Sequence, residues 1–548
     1  MPAIPAHTTW TERATERLPV VVGIALTVGI VALFAEYQRH AGPLWRDEVN
    51  SVNLAHLPSL YEVYANSHLD SFPTAWVLLL YSWVASGLGE SDASLRVLGL
   101  LVGLATVATW WWTARRLGLR APVVTLLLLG MNPTWVTYGT QVRGYGLGVL
   151  GLSWALGAMF SFVQRPSLAS ALVAQAAAIL AVQSYFGNCF LIGALCAGGA
   201  AVALQRRSIR LAGAVIGIGA VAAVSMSVNL FSVVYASRLA SIEQGTYPLS
   251  WYAEVFWNAL GPDVVLLRAA WTIAATGAVG GVALTLAAAR RDGAPADEDD
   301  DRARALYVAV AAVTGLAGYA AYVGFISVRT QVWYYLSLMS VVAFACDVGT
   351  DLLAKRFARG TALRAAVAAL CACVVAAGVL PQVRVRMTDV DAIAATLARE
   401  AKPDDLVVVF PWYCGISFAR YYRGAAPWIT MPDFESHKYH EHAQVAEKMK
   451  RRENAVATEL ARVEQTLRAG HRVWIAGPLV APEPGQPPRP LPGPDEPQRA
   501  AWYLENWEQQ LGALLRTHAR DVWNVPLPDL GPTNRWETLP LIVAEGWR

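Results

Sequence analysis

Charge is scarce in this sequence. Lys, Arg, Asp and Glu make up only 16% of 548 residues, and the two signs nearly cancel at a net +3. No basic tract is present, so the electrostatic footprint of a nucleic-acid-binding protein is missing. Cysteine is sparse as well, with six in all, and Cys189, Cys196, Cys346, Cys371 and Cys373 lie inside apolar runs. Cys371 and Cys373 stand two apart, on different faces of a helix, and read as small apolar residues rather than metal or redox groups. Cys414 is alone in the C-terminal part and has no disulfide partner there. No GxGxxG or Walker-type loop appears in the C-terminal part after residue 382, so soluble nucleotide binding has no support there and no nucleotide cofactor is expected. The N-terminus also lacks the pattern of a cleaved signal, which makes the first apolar run, Leu18 to Ala35, a retained membrane helix.

What the chain has in abundance is apolar length. It is 55% hydrophobic, with a mean hydropathy of +0.36, too apolar for a soluble globular protein. Its 21 Trp and 20 Tyr suit residues that settle at membrane interfaces. Runs of about 20 apolar residues, enough to cross a hydrocarbon core of about 30 Å, recur along it. Spans are expected at 18–36, 94–114, 121–138, 145–163, 168–184, 187–204, 210–235, 263–289, 305–326, 332–353 and 363–381. The stretch Phe72 to Leu88 is short and broken by Ser82, Ser86 and Gly87.

Basic clusters decide how to count that stretch. They occur at Arg115, Arg116 and Arg120; at Arg165; at Arg206, Arg207 and Arg210; at Arg290, Arg291, Arg302 and Arg304; and at Lys355, Arg356, Arg359 and Arg364. If 72–88 does not cross, all five fall on the inner side, as the positive-inside rule requires. The segment is therefore expected to be interfacial or re-entrant, with eleven spans, a cytoplasmic N-terminus and an extracytoplasmic C-terminus in the plasma membrane. The acidic run Asp297 to Asp301 then falls inside, as a solvated loop.

After residue 382 the composition changes. "DLVVVFPW" (405–412) and "HRVWIAG" (471–477) read as buried strands, and "DAIAATLARE" (391–400) and "ENAVATELARVEQTLRAG" (453–470) as amphipathic helices. The expected fold is an α-helical polytopic membrane module (1–382), with a first outer loop at 37–93, and a small extracytoplasmic α/β domain (383–548). Within the latter, 481–498 is a Pro/Gly-rich loop.

The outer face collects unusual polar residues. The stretch "LWRDEVNSVNL" (44–54) follows the first span and carries Arg46, Asp47 and Glu48; His68 and Asp70 lie further along the same loop. The next outer turn, "QVRGY", brings Gln141, Arg143 and Tyr145; "SYFGN" brings Tyr185; a later one brings Arg329 ahead of Tyr334 and Tyr335. Each has an ordinary reading as an interface residue. Together they suit one task, since arginine pairs with phosphate, a carboxylate takes a proton from a hydroxyl, and aromatics lie against sugars or lipid chains. That combination suggests group transfer from a lipid-linked phosphate donor. A transporter or lipid flippase with an outer domain is the alternative, but inverted repeats and midplane charges are not evident.

The motifs "RDEVNSVNLAH" (46–56), "DSFPTAWVLLLYSW" (70–83), "SLRVLGLLVGLATVATWWWTARRLG" (94–118), "NPTWVTYGTQVRGY" (132–145) and "QSYFGN" (183–188) resemble family-39-type glycosyltransferases of the GT-C fold. Those are relatives of the protein O-mannosyltransferases and of the lipid A aminoarabinose transferase. The tail stretch "KPDDLVVVFPWYCGISFARYY" (402–422) resembles the extracytoplasmic domain of some members. The resemblance implies an inverting hexosyl- or pentosyltransferase that uses a polyprenyl-phosphate sugar and a lipid, polysaccharide or protein acceptor. It implies Asp47 as general base and Glu48 as its partner. It further implies Arg143 and Arg329, with His68, at the donor phosphate, and Asp70, Gln141, Tyr145, Tyr185, Tyr334 and Tyr335 around the substrates. A divalent metal is an open option, with Glu48 and His68 as its candidate ligands. Two departures stand out: Phe72 occupies the place of the usual His in the "D-x-H-P-P" element, and the arginine of "R-Y-L-L-P" is missing beside Tyr334, with Arg329 about a turn earlier.

Overall fold

Long apolar runs in lipid must satisfy their backbone internally, and helices do so within one segment. The computed structural model describes residues 10–239, 247–288, 296–326, 329–493, 496 and 499–548. Among these, nine helices are long and apolar enough to cross a membrane, from Glu16–His40 to Gly360–Val383. The other two expected spans are helical but different in kind. Leu168–Ser184 is a 17-residue helix. The 121–138 run is broken: a wide turn at Leu126–Gly130 leads to a short helix, Pro133–Tyr138, whose first turn is capped by Asn132 accepting from Thr134 N at 2.8 Å. The stretch after Phe72 forms the apolar helix Thr74–Leu88, about 22 Å long at 1.5 Å per residue, short of a hydrocarbon core. It ends at Gly87, whose φ of 83° suits glycine.

Members of all five basic clusters line one end of this helical body, among them Arg115, Arg165, Arg206, Arg304 and Lys355. Arg290 and Arg291 lie outside the described residues. The acidic run is not a loop: it opens the Ala296–Ile326 helix, where carboxylates favour the helix dipole. Asp301 there pairs with Arg304 and, at 3.0 Å, with Lys355, while Glu298, Asp299 and Asp300 stay exposed.

At the other end sits a five-stranded sheet of order β2-β1-β3-β5-β4. The strands are β1 (Leu406–Val409), β2 (Trp428–Thr430), β3 (Val473–Ala476), β4 (Ala519–Val525) and β5 (Leu541–Trp547). β1 runs parallel to β2 and β3, and β5 antiparallel to β3 and β4. β1 and β3 are buried throughout, which is why they read as continuous apolar runs. Helices Val390–Glu400 and Ala457–Arg468 cover the sheet near the expected positions. The domain is tied down on the helical body: Tyr421 donates to Asp92 Oδ2 at 2.7 Å, Arg420 pairs with Asp92 at 2.6 Å, and Met387 N donates to the Ala41 carbonyl at 2.9 Å.

Candidate active site

The chain leaves its first long helix at His40, turns at Gly42, and starts a new helix, Arg46–Ala55. Gly42 has φ 66°, and a Cβ there would meet the Arg386 guanidinium at 3.0 Å. The new helix points Asp47 and Glu48 in different directions, because successive residues are about 100° apart. Glu48 turns inward and is fully buried. It accepts from Val142 N at 3.0 Å and from Trp45 N at 3.3 Å, and faces Arg96 at 3.5 Å. Burial holds its carboxyl above the ordinary value even with Arg96 beside it. Glu48 thus ties three segments together.

Asp47 turns outward, its side chain 24% exposed. Its Oδ1 lies 3.3 Å from His440 Nε2 and 3.6 Å from Arg46 Nε. Burial alone would raise its pKa, but the hydrogen bond from His440 and the charges of Arg46 and Arg143 outweigh it and hold the carboxyl well below the usual carboxylate range. Beneath it, Arg143 donates to the Asp47 carbonyl at 2.9 Å, to Ser51 Oγ at 2.7 Å and to Asp70 at 2.9 Å. Ser51 in turn donates to Asp70 at 2.5 Å. Phe72 lies under the guanidinium at 4.6 Å. The aromatic ring therefore supplies a cation–π floor where the related pattern has His.

The remaining walls come from the far domain. His440, His442, Trp412, Tyr413 and Glu537 were not singled out from the sequence, although "HKYHEH" (437–442) holds three of the nine histidines. His440 N donates to Asn50 Oδ1 at 3.0 Å, and Asn53 donates to the Lys438 carbonyl at 2.8 Å, so this loop is bolted to the Asp47 helix. The His440 and His442 rings stack 5.5 Å apart, both edge-on to Trp412. Burial, together with His440, lowers His442 to about 3, which keeps it neutral. Arg46 lies between the Trp45 and Tyr413 rings at 5.0 and 4.6 Å, and donates to the Trp536 carbonyl at 2.7 Å. Its backbone N donates to Glu537 at 3.0 Å.

The other expected site residues separate into groups. Tyr145 packs against Phe72 (4.8 Å), Tyr185 (5.9 Å) and Tyr334 (6.2 Å), forming one aromatic cluster beside Arg143. Gln141 is buried and donates to Met387 Sδ at 3.3 Å. Tyr335 is buried, its hydroxyl 3.0 Å from Thr330. His68 stands apart, edge-on to Tyr235 at 4.5 Å and Phe231 at 5.0 Å, and burial lowers its pKa, which weakens it as a cation for phosphate. Glu48 and His68 thus have separate surroundings and do not fit a shared metal, and among the described residues no cluster of three His, Cys, Asp or Glu is arranged to hold one. Arg329 is exposed and lines a cavity of about 600 Å³ together with Arg268 and Arg535. Tyr138, Trp333 and Trp536 also line it, and Trp333 meets Trp45 edge-on at 6.2 Å.

No family model and no curated protein matches this chain. Among solved structures the chain is similar to ArnT from Cupriavidus metallidurans, in a crystal structure bound to undecaprenyl phosphate, with 15% identity over 96% of this chain and 97% of that one, at a TM-score of 0.48.

Proposed function

We propose that this protein is an inverting glycosyltransferase of the GT-C type, which moves a hexosyl or pentosyl group from a polyprenyl-phosphate donor to an acceptor hydroxyl at the outer membrane face. The observation that carries the reading is the ionised, partly exposed Asp47 carboxylate, walled by Arg46, Arg143 and His440 from three separate segments. In the proposed step the acceptor oxygen attacks the anomeric carbon, the bond from that carbon to the phosphate oxygen breaks, and polyprenyl phosphate departs. The hydroxyl proton passes to Asp47, directly or by way of His440. No separate acid is needed, because phosphate leaves as an anion.

Roles divide according to geometry. One nitrogen of Arg143 serves three acceptors and fixes the Asp47 helix, while its buried Nε has no hydrogen-bond partner and is left for a donor phosphate oxygen. Departing phosphate is also served by Arg329, Arg268 and Arg535, three guanidiniums around one cavity against the single Asp263. Trp251, Val255 and Val332 in the same lining offer an apolar bed for an isoprenoid chain. The acceptor, whether polysaccharide, lipid or protein, would approach past His440 and Trp412.

The test is release of polyprenyl phosphate by purified protein given a panel of polyprenyl-phosphate sugars. Asp47→Asn is expected to lower turnover by at least about a hundredfold with the fold intact. Full activity in that variant would overturn the assignment of Asp47.

A further inference from the structure

A second cavity lies far from Asp47. It holds about 1230 Å³ at the opposite end of the helical body, between the ends of the Asp92–Arg116, Tyr145–Gln164, Asn188–Gln205 and Leu336–Ala354 helices. The Asp92–Arg116 helix alone, at 25 residues, separates the two ends by about 37 Å. Eight cations line this cavity against three carboxylates, Asp300, Asp301 and Asp351. Arg304 and Lys355 are neutralised by Asp301, and Arg364 by Asp347 and Asp351. Arg115, Arg116 and Arg165 have no carboxylate partner among the described residues, and the buried Arg364 Nε has no hydrogen-bond partner. Among the described residues the positive charge lining the cavity exceeds the carboxylate charge, and it surrounds a space far larger than one hydrated ion requires.

The wall formed by the Leu168–Ser184 helix indicates the kind of anion. Ala169 and Val173, four residues apart, line the cavity. The adjoining stripe, Leu168 and Leu172, is 77% and 60% exposed. One helix therefore carries a cavity wall next to an uncovered apolar face, so a molecule with an anionic head and apolar tails matches both. Trp112, which also lines the cavity, has the Arg116 guanidinium 5.0 Å above its ring, a position typical of a membrane interface.

We infer that this cavity binds the phosphate headgroup of an anionic phospholipid, with the acyl chains lying along Leu168 and Leu172. Juxtamembrane cations between helices bind such headgroups through charge and hydrogen bonding. The site is independent of the proposed transfer reaction. It holds the inner ends of four helices together through a lipid in place of protein carboxylates.

The experiment uses the delipidated full chain, native mass spectrometry and thermal unfolding, with phosphatidylglycerol, phosphatidylcholine and inorganic phosphate as probes. At equal dose the protein is expected to retain phosphatidylglycerol at least about fivefold over phosphatidylcholine, with a rise in melting temperature of several degrees. The variant Arg115→Gln, Arg116→Gln, Arg165→Gln, altered only at exposed cations, is expected to lose that preference while keeping turnover in phosphatidylcholine. Equal retention of the two lipids by the unaltered protein would overturn the inference without reference to any variant. An unchanged preference in the triple variant would overturn the location. If millimolar inorganic phosphate alone reproduces the thermal shift and displaces the lipid, the ligand is a soluble phosphate and the lipid assignment fails.

Discussion

One step along a helix is a rotation of about 100°, and it separates a solvent-facing Asp47 from a buried Glu48. Their substitutions should therefore fail in different ways. Asp47→Asn is expected to remove turnover with the fold intact, at the modest loss of stability that follows from its contacts to Arg46 and His440. Glu48→Gln leaves Arg96 buried without its counter-charge and is expected to cost about 3 kcal/mol, seen as a lowered melting temperature in detergent. His440 governs the titration of Asp47: its hydrogen bond opposes the upward push of burial. Taking it away in His440→Ala should raise the Asp47 pKa. The acid limb of the pH–rate profile should then move to higher pH. A limb that stays in place would mean that His440 does not act on Asp47. The "RDE" cluster marked this region in the sequence, but one-letter order does not say which carboxylate meets water.

The turn at 139–144 carries both Val142, which anchors Glu48, and Arg143, which holds Asp70. It sits close to its neighbours because they are glycines. A Cβ on Gly99 would collide with the Thr140 carbonyl, and one on Gly146 with the Gly139 carbonyl. Gly99→Ala is expected to push the turn off the Asp92–Arg116 helix, costing about 1–3 kcal/mol of stability and loosening the Asp47 helix as well. A melting curve and a turnover assay on the same preparation check both effects. At this scale the strands β1 and β3 were readable as apolar runs, because both their faces are covered. β4 was not, since most of its residues are exposed and its pairing with β5 depends on a partner met only after folding.

The whole molecule is two bodies joined across Asp47, and Glu537 is a buried joint between them, taking a hydrogen bond from Arg46 N and another from Ser417. Burial raises its carboxyl to about 7 against an ordinary 4.5, with Arg46 opposing. From about pH 4.5 to about 7 the folded state therefore keeps a proton that the unfolded chain has lost, so Glu537 subtracts stability as pH rises through that window. Glu537→Gln cannot ionise. It is expected to flatten the decline in melting temperature over the same range while preserving the docked domain. An identical decline in the variant would assign the pH dependence elsewhere.

Apolar run length, the clustering of cations and the acidic pair after the first long helix were all written locally. Lipid acts on each segment separately: a helix of sufficient length and hydropathy enters it whatever its neighbours are. So the helical body and the shared end of the basic clusters could be read residue by residue. The partners of Asp47 could not. His440, Trp412 and Glu537 reach it only because the sheet domain docks through Asp92, Arg420 and Tyr421. Arg329 comes to the cavity beside Trp45 only because the aromatic wall of Tyr138, Trp333 and Trp536 packs where it does. Contacts between segments far apart in the chain depend on the packing of every layer between them, and that is a property of the folded whole.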